Sequence, residues 1–370
     1  MKRISVLLLA ALLMLSLASC GDKTKATSAD PSVLPTDQLP TGEAEGSGEA
    51  SVPAEGSGEN STSEQASASS PVEEPTDPAA IPVFSVNATA ATCGDVVILS
   101  ASNVLSGGEI SVKIEPSLDY TPTFYQVGDS WQALLPLAVD AVESGDATYT
   151  IKMSTANGED TFSLKVSALA KGEYNYYESK SQFEPYYNDA SIEALRTNMK
   201  DVALSASGSA FTGGKFVVPA KDNYYSETSN YPFGTRVTLT GLNKSFTALD
   251  TMYCAMARTV KDENGKTTYV EGTKTKVLAA FDGKVVYVGS QTYTGRLVVI
   301  DHGSGLKSWY SNLSSDIQVK VGDTVTAGQV ISSAADGGLN ASLNFNFHVG
   351  VTVHGVPVNI QTLIDKGLNA

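Results

Sequence analysis

Few side chains in this sequence are equipped for chemistry near neutral pH. There are three histidines, His302, His348 and His354, and three cysteines, Cys20, Cys93 and Cys254. Imidazole and thiolate are the groups that move protons, hold metals or attack carbonyls in that range. The spacing Asp250-x-x-x-Cys254 brings a carboxylate and a thiol close along the chain. In an extended strand, at roughly 3.3 Å per residue, the two stand about 13 Å apart, too far to share one ion. Met252, Cys254 and Met256 alternate onto one face, as in a core strand. His302 sits in Asp301-His-Gly-Ser-Gly305, which reads as a strand end and turn. Cys93 and Cys254 fall in different predicted domains, and each reads as a buried small hydrophobe rather than half of a disulfide.

The segments that must carry these residues begin with an export signal. Lys2 and Arg3 precede an apolar run from Ile4 to Leu17, which stops at Leu17-Ala-Ser-Cys20. The run is shorter than the roughly 20 residues of a bilayer span. Its end resembles the bacterial lipobox, so Cys20 is expected to become the lipidated first residue of an extracytoplasmic protein anchored to the cell membrane. Residues 20–80 follow as a Ser-, Gly-, Glu- and Pro-rich stretch without an aromatic residue, containing the near-repeat Gly46-Ser-Gly-Glu49 and Gly56-Ser-Gly-Glu59. Such a composition cannot offset the entropy of ordering the chain, and it predicts a flexible tether. From residue 21 to 80 twelve acids face two lysines, about −10 of the formal charge of −15. No basic stripe is left to neutralise phosphates, which argues against a nucleic-acid partner.

The fold class predicted for the remainder is mainly β. Alternating phrases at Val96-Val-Ile-Leu99, Ile110-Ser-Val-Lys-Ile114, Phe124-Tyr-Gln-Val127, Trp131-Gln-Ala-Leu-Leu-Pro136, Tyr149-Thr-Ile-Lys-Met153 and Thr161-Phe-Ser-Leu-Lys-Val166 are separated by turn residues. They predict an immunoglobulin-like β-sandwich over 81–168. Residues 169–210 predict a linking segment with one helix, capped by Asp189 or Ser191 and presenting Ile192, Leu195, Met199 and Val202 on one face. Residues 211–370 predict a second, antiparallel β-domain. Its Asn264-Gly265 is a two-residue hairpin signal, and Val277 to Gly289 and Val321 to Ile331 read as two further hairpins.

Several phrases of that last domain carry a family resemblance. Ala280-Phe-Asp-Gly-Lys-Val285, Val298-Val-Ile-Asp-His-Gly303, Trp309-Tyr-Ser-Asn-Leu313, the Val321-Gly-Asp-Thr-Val-Thr-Ala-Gly phrase and Phe347-His-Val-Gly-Val-Thr-Val-His-Gly-Val-Pro-Val-Asn359 together resemble the lysostaphin/LytM-like zinc metallopeptidases. The resemblance implies a LytM-like antiparallel β-domain of the duplicated hybrid motif type and an ancestral activity of cutting peptide cross-links in peptidoglycan. It also implies zinc on three protein ligands, two from a His-x-x-x-Asp phrase and one from the second His of His-x-His. The first His of that phrase and another in Tyr-x-His-Leu would assist proton transfer.

Carried onto this sequence, His-x-x-x-Asp becomes Phe246-Thr-Ala-Leu-Asp250, Tyr-x-His-Leu becomes Tyr310-Ser-Asn-Leu313, and His-x-His becomes Asn346-Phe-His348. Asp250 and His348 remain as remnant ligands. Phe246, Asn312 and Asn346 stand where histidines are expected. A phenyl ring cannot coordinate zinc, catalytic sites need three protein ligands, and an amide cannot shuttle a proton. The expectation is a degenerate groove of Phe246, Asp250, Tyr310, Asn312, Asn346 and His348, without catalytic residues, metal or other cofactor. It would bind peptidoglycan peptide or an envelope protein as a scaffold or regulator of wall hydrolysis. The alternative is a zinc endopeptidase with an unconventional site, and a further one is an adaptor whose sandwich does the recognising.

Overall fold

Strand alternation, turn residues and one amphipathic helix organise the chain into two β-layered parts joined through a shared core. The structure, a computed structural model, describes residues 81–368 apart from 106–107, 119, 178, 222–230, 255–257, 262, 271–273 and 336–344. The expected signal, Cys20 and the tether lie outside the described residues, as does Met256. No helix among the described residues is long and apolar enough to cross a membrane.

The N-terminal part is a sandwich of two four-stranded sheets. One sheet runs β1 (Val83–Val86), β3 (Val96–Ser102), β6 (Ser130–Pro136), β5 (Phe124–Val127), and the other β2 (Ala90–Thr92), β8 (Gly158–Ser167), β7 (Asp146–Thr155), β4 (Ser111–Glu115). Inward positions such as Leu99, Ala101, Leu135, Ile151, Met153, Leu164 and Val166 fill the space between them. Cys93 is buried there and Cys254 is buried in the second part, and neither forms a disulfide with another described residue.

The segment expected to link two domains is instead woven into the second. β9 (Glu173–Tyr176) pairs in parallel with β11 (Arg236–Leu239), which also pairs with β12 (Lys244–Thr247). α1 (Lys180–Phe183) and α2 (Asp189–Leu204) follow β9. Asn188 rather than Asp189 caps α2, its side chain accepting from the Ser191 amide. The buried stripe is Ile192, Leu195, Met199 and Ala203. It packs with Phe246, Met252 and Trp309 of the second part, so α2 does not bridge two domains.

The second part is built on a large antiparallel sheet in the order β13 (Thr251–Cys254), β22 (Asn346–Val353), β19 (Leu306–Leu313), β18 (Gly295–Gly303), β17 (Gly283–Gln291), β20 (Thr324–Val325), with β23 (Val356–Val358) paired to β22. A smaller sheet joins β10 (Ala220–Lys221), β16 (Lys276–Leu278) and β21 (Val330–Ser333). The Asn264-Gly265 turn closes the hairpin of β14 (Arg258–Lys261) with β15 (Thr267–Val270).

The two phrases read as separate hairpins pair with each other instead. β16 pairs with β21, and β17 with β20 and β18. Side-chain and backbone bonds between the tips fix this exchange: the Ala327 amide donates to Asp282 Oδ1 at 2.7 Å, and the Val285 amide to the Asp323 carbonyl at 2.8 Å.

Both faces of the large sheet are covered. Tyr253, Val298, Ile300, Tyr310, Phe347, Val349, Val351 and Val353 point into a core shared with Ile98 and Leu134 of the sandwich. Met252, Leu297, Val299 and Trp309 point into the core that α2 completes. α3 (Ile360–Asp365) closes the chain against the sandwich, with Thr362 Oγ1 donating to Asp95 at 2.9 Å. At the same junction His354, in the turn after β22, stacks on Tyr125 with centroids 6.0 Å apart.

Candidate functional site

Side chains alternate across a strand, so the pairing register decides which predicted site residues share a face. His348 pairs with Met252 and with Ser311, and Asn346 pairs with Cys254. Asn346 and His348 therefore face the α2 side, about 7 Å apart along β22. Asp250 immediately precedes β13 and meets them there, with His348 Nδ1 2.9 Å from Asp250 Oδ2. An ionised carboxylate only accepts, so Nδ1 carries the proton in this contact. The Tyr231 hydroxyl lies 3.3 Å from the same nitrogen, and its ring stands edge-on to the imidazole at 5.8 Å.

Asp250 is 1% exposed, and its other oxygen, Oδ1, is buried without a hydrogen-bond partner among the described residues. Its one ion-pair partner among the described residues is His348, which is charged only if protonated. Burial raises the Tyr231 phenol well above its ordinary range, with the neighbouring Tyr176 and the charge of Asp250 adding to the rise. Burial raises Tyr293 in the same way, reinforced by Tyr187 and Asp250.

Asn312 and Asn346 form the second polar pair. Asn312 Nδ2 donates to Asn346 Oδ1 at 2.8 Å and to its carbonyl at 3.0 Å. Asn312 has φ +55°, a left-handed conformation that asparagine tolerates better than most residues. That kink ends the alternation of β19 and turns the amide toward β22.

Phe246 is buried on the same side of the molecule, in the core that holds Met252 and Tyr231. Its ring stacks on Tyr187, centroids 6.1 Å apart and planes 18° apart. Tyr310, expected in the same groove, lies apart from His348 and Asn346. Its ring lies on the opposite face, and its oxygen accepts from the Ala280 amide at 2.7 Å.

His302 belongs to that opposite face as well. Its Nδ1 is 2.8 Å from the Asp282 carbonyl and its Nε2 2.7 Å from Ser308 Oγ, which in turn sits 2.9 Å from the Tyr310 hydroxyl. A carbonyl can only accept, so Nδ1 bears the proton and Nε2 receives one from Ser308. Ser308 is fully buried, so this chain of bonds is structural and not a nucleophile with its base.

The donor set does not fit a catalytic zinc. Asp250 and His348 supply two donors where such sites use three, and no cluster of three or more His, Cys, Asp or Glu among the described residues could hold an ion. Phe246 adds only a ring already committed to Tyr187. What the arrangement holds is two hydrogen-bonded polar pairs, Asn312 with Asn346 and His348 with Asp250, with Asn346, His348 and Asp250 buried. Tyr187, Tyr231 and Tyr293 were not anticipated as site residues, since they come from separate segments and no spacing links them to Asp250.

Nothing among curated proteins matches the sequence. A protein described as a peptidase M23 from Pseudomonas aeruginosa is 15% identical, covering 74% of this chain and 94% of its own, with a TM-score of 0.46. The catalytic domain of lysostaphin from Staphylococcus simulans is 21% identical over 39% of this chain and 95% of its own, with a TM-score of 0.29. A chain of the SpoIIIAH and SpoIIQ complex is 19% identical over 40% and 98%, with a TM-score of 0.29. Residues 264–360 match the sequence profile of Peptidase family M23, and the second β-part, which holds them, is LytM-like.

Proposed function

We propose that this protein is a lipid-anchored component of a bacterial cell envelope whose LytM-like domain binds without cutting. The ligand is a peptidoglycan peptide or an envelope protein, held beside Asp250, Asn312, Asn346 and His348, and the protein acts as a scaffold or regulator of wall hydrolysis. One observation carries the reading. The position expected to supply the third zinc ligand is Phe246, buried against Tyr187, while the two remaining ligands are bonded to each other. Without a third ligand there is no activated water, and amides at 312 and 346 offer hydrogen bonds but no proton transfer. The anchor rests on Cys20 behind its apolar run.

The tag-free protein is expected to purify without stoichiometric zinc and to release no cross-linked peptide from cell wall. Stoichiometric zinc together with chelator-sensitive release would overturn the proposal in favour of a working endopeptidase. Pull-down on insoluble peptidoglycan and on solubilised envelope should weaken when Asn312→Ala and Asn346→Ala are combined. Unchanged capture removes the groove from the account. A Cys20→Ala variant should leave the membrane fraction.

A further inference from the structure

One sheet of the sandwich ends in a strand whose outer edge is open. β4 is last in the order β2, β8, β7, β4, and among the described residues its one strand partner is β7. An unpaired edge presents a row of backbone N–H and C=O groups ready to pair with another chain, which native proteins cover, blunt or use. The outer strand of the other sheet, β5, is covered, since Tyr125 stacks on His354 of the second part.

Alternation divides β4 into two rows. Lys113 and Glu115 point outward and form an ion pair at 2.6 Å, their side chains 72% and 62% exposed. Val112 and Ile114 point toward the sandwich core and are only partly buried. Beside them, the chain that follows the strand leaves a cleft of about 420 Å³, lined also by Leu118, Tyr120 and Pro122. A half-covered apolar row next to a cleft suits an added strand whose own apolar side chains enter that cleft.

The charges select which strand. A lone lysine on an edge repels its own copy, but a lysine and a glutamate two residues apart do not. In an antiparallel pair, opposite residues either both exchange hydrogen bonds or both do not, so two β4 strands can slip past each other only in steps of two residues. One such register sets Lys113 against Lys113, and another sets Glu115 against Glu115. The register between them sets Ile114 against Ile114 and Lys113 against Glu115 twice, so that every charge meets its opposite.

We propose that the outer edge of β4 pairs antiparallel with β4 of a second copy of this chain, about a two-fold axis at Ile114. The two four-stranded sheets become one, and each copy's Ile114 enters the cleft of the other. The contact is self-complementary, as a two-fold interface requires, and it is independent of the groove reading, because β4 belongs to the sandwich.

Sedimentation velocity of the full-length protein, carrying Cys20→Ala to remove the lipidation site, should show a monomer and dimer in equilibrium between roughly 1 μM and 1 mM, as expected of a contact below standard interface size. Lys113→Glu sets glutamates against glutamates and Glu115→Lys sets lysines against lysines. Each should weaken dimerisation by roughly tenfold or more. An equimolar mixture of the two variants should associate again. Under mild oxidation Ile114→Cys should give a disulfide-linked dimer, because directly opposite Cα atoms stand about 4.5–5.5 Å apart and a disulfide spans about 4.4–6.8 Å. Val112→Cys should not, its two copies lying about 13 Å apart at roughly 3.3 Å per residue. The proposal is overturned by a protein that stays monomeric throughout that range, by charge variants that dimerise as tightly as the wild type, by a mixture that stays apart, or by equal cross-linking at 112 and 114. Each of those results leaves the edge to a different extended segment or to water.

Discussion

The ring of Phe246 lies nearly parallel to that of Tyr187, 18° apart in plane and 6.1 Å between centroids. Tyr187 belongs to the stretch between α1 and α2, so the segment that precedes the LytM-like domain in sequence covers the position where zinc chemistry would need a ligand. The contact is also structural. Phe246→Ala should destabilise the protein by about 3–5 kcal/mol through lost burial and a residual cavity. In urea titrations, a double-mutant cycle with Tyr187→Ala should return a coupling of about 0.5–1.5 kcal/mol. Zero coupling would mean that the two rings pack independently.

Asn312 tests backbone and side chain separately. Its φ of +55° is unfavourable for alanine and neutral for glycine, while either replacement removes both bonds to Asn346. Asn312→Ala should therefore cost more stability than Asn312→Gly, by roughly 1 kcal/mol. The measurement is a pair of chemical denaturation curves. Equal losses would show that the left-handed backbone at this position puts no extra strain on alanine.

Much of this architecture was legible because half-covered strands announce themselves. Sandwich strands β4 and β7 alternate, the Asn264-Gly265 turn closes the β14–β15 hairpin as predicted, and α2 shows its stripe at Ile192, Leu195 and Met199. Where both faces of a sheet are buried, alternation vanishes. Every residue of β22 is buried and β19 is nearly so, so nothing in Trp309-Tyr310-Ser311 says which side chain faces α2, and Tyr310, expected in the groove, lies on the opposite face. The exchange between the β16–β17 and β20–β21 phrases depends on contacts such as Asp282 with Ala327, some 45 residues apart. Local turn signals cannot encode such a choice. The pairing of Asp250 with His348, 98 residues away, was reached only through the family resemblance.

His302 should make stability fall with acid. Burial pushes its imidazole down to about 4, against the hydrogen bond to the Asp282 carbonyl, which favours protonation. The unfolded chain protonates near 6.5, so below that pH it binds a proton that the folded state refuses until about 4. Stability from this group is complete above pH 6.5 and is lost progressively down to pH 4, to an extent of about 3 kcal/mol. Urea midpoints measured across that window should decline in the wild type and flatten in His302→Gln at lower overall stability. An unchanged slope in the variant would assign the acid sensitivity to other groups.

Gly305 ties the LytM-like domain to the sandwich through His354. The backbone there has φ +77°, and a Cβ would lie 2.3 Å from His354 Nε2, while His354 itself stacks on Tyr125 of β5 and approaches Tyr120 at 6.3 Å. Gly305→Ala must therefore displace the imidazole as well as strain the turn, and displacement acts on the junction between the two parts. His354→Ala removes the ring without touching the turn. Both variants should loosen the junction, seen as faster limited proteolysis between the sandwich and α2. Gly305→Ala should lose more stability than His354→Ala, because only it adds backbone strain. If His354→Ala leaves proteolysis unchanged, the junction is held by the Thr362 to Asp95 bond and the apolar contacts of Ile98 and Leu134 instead.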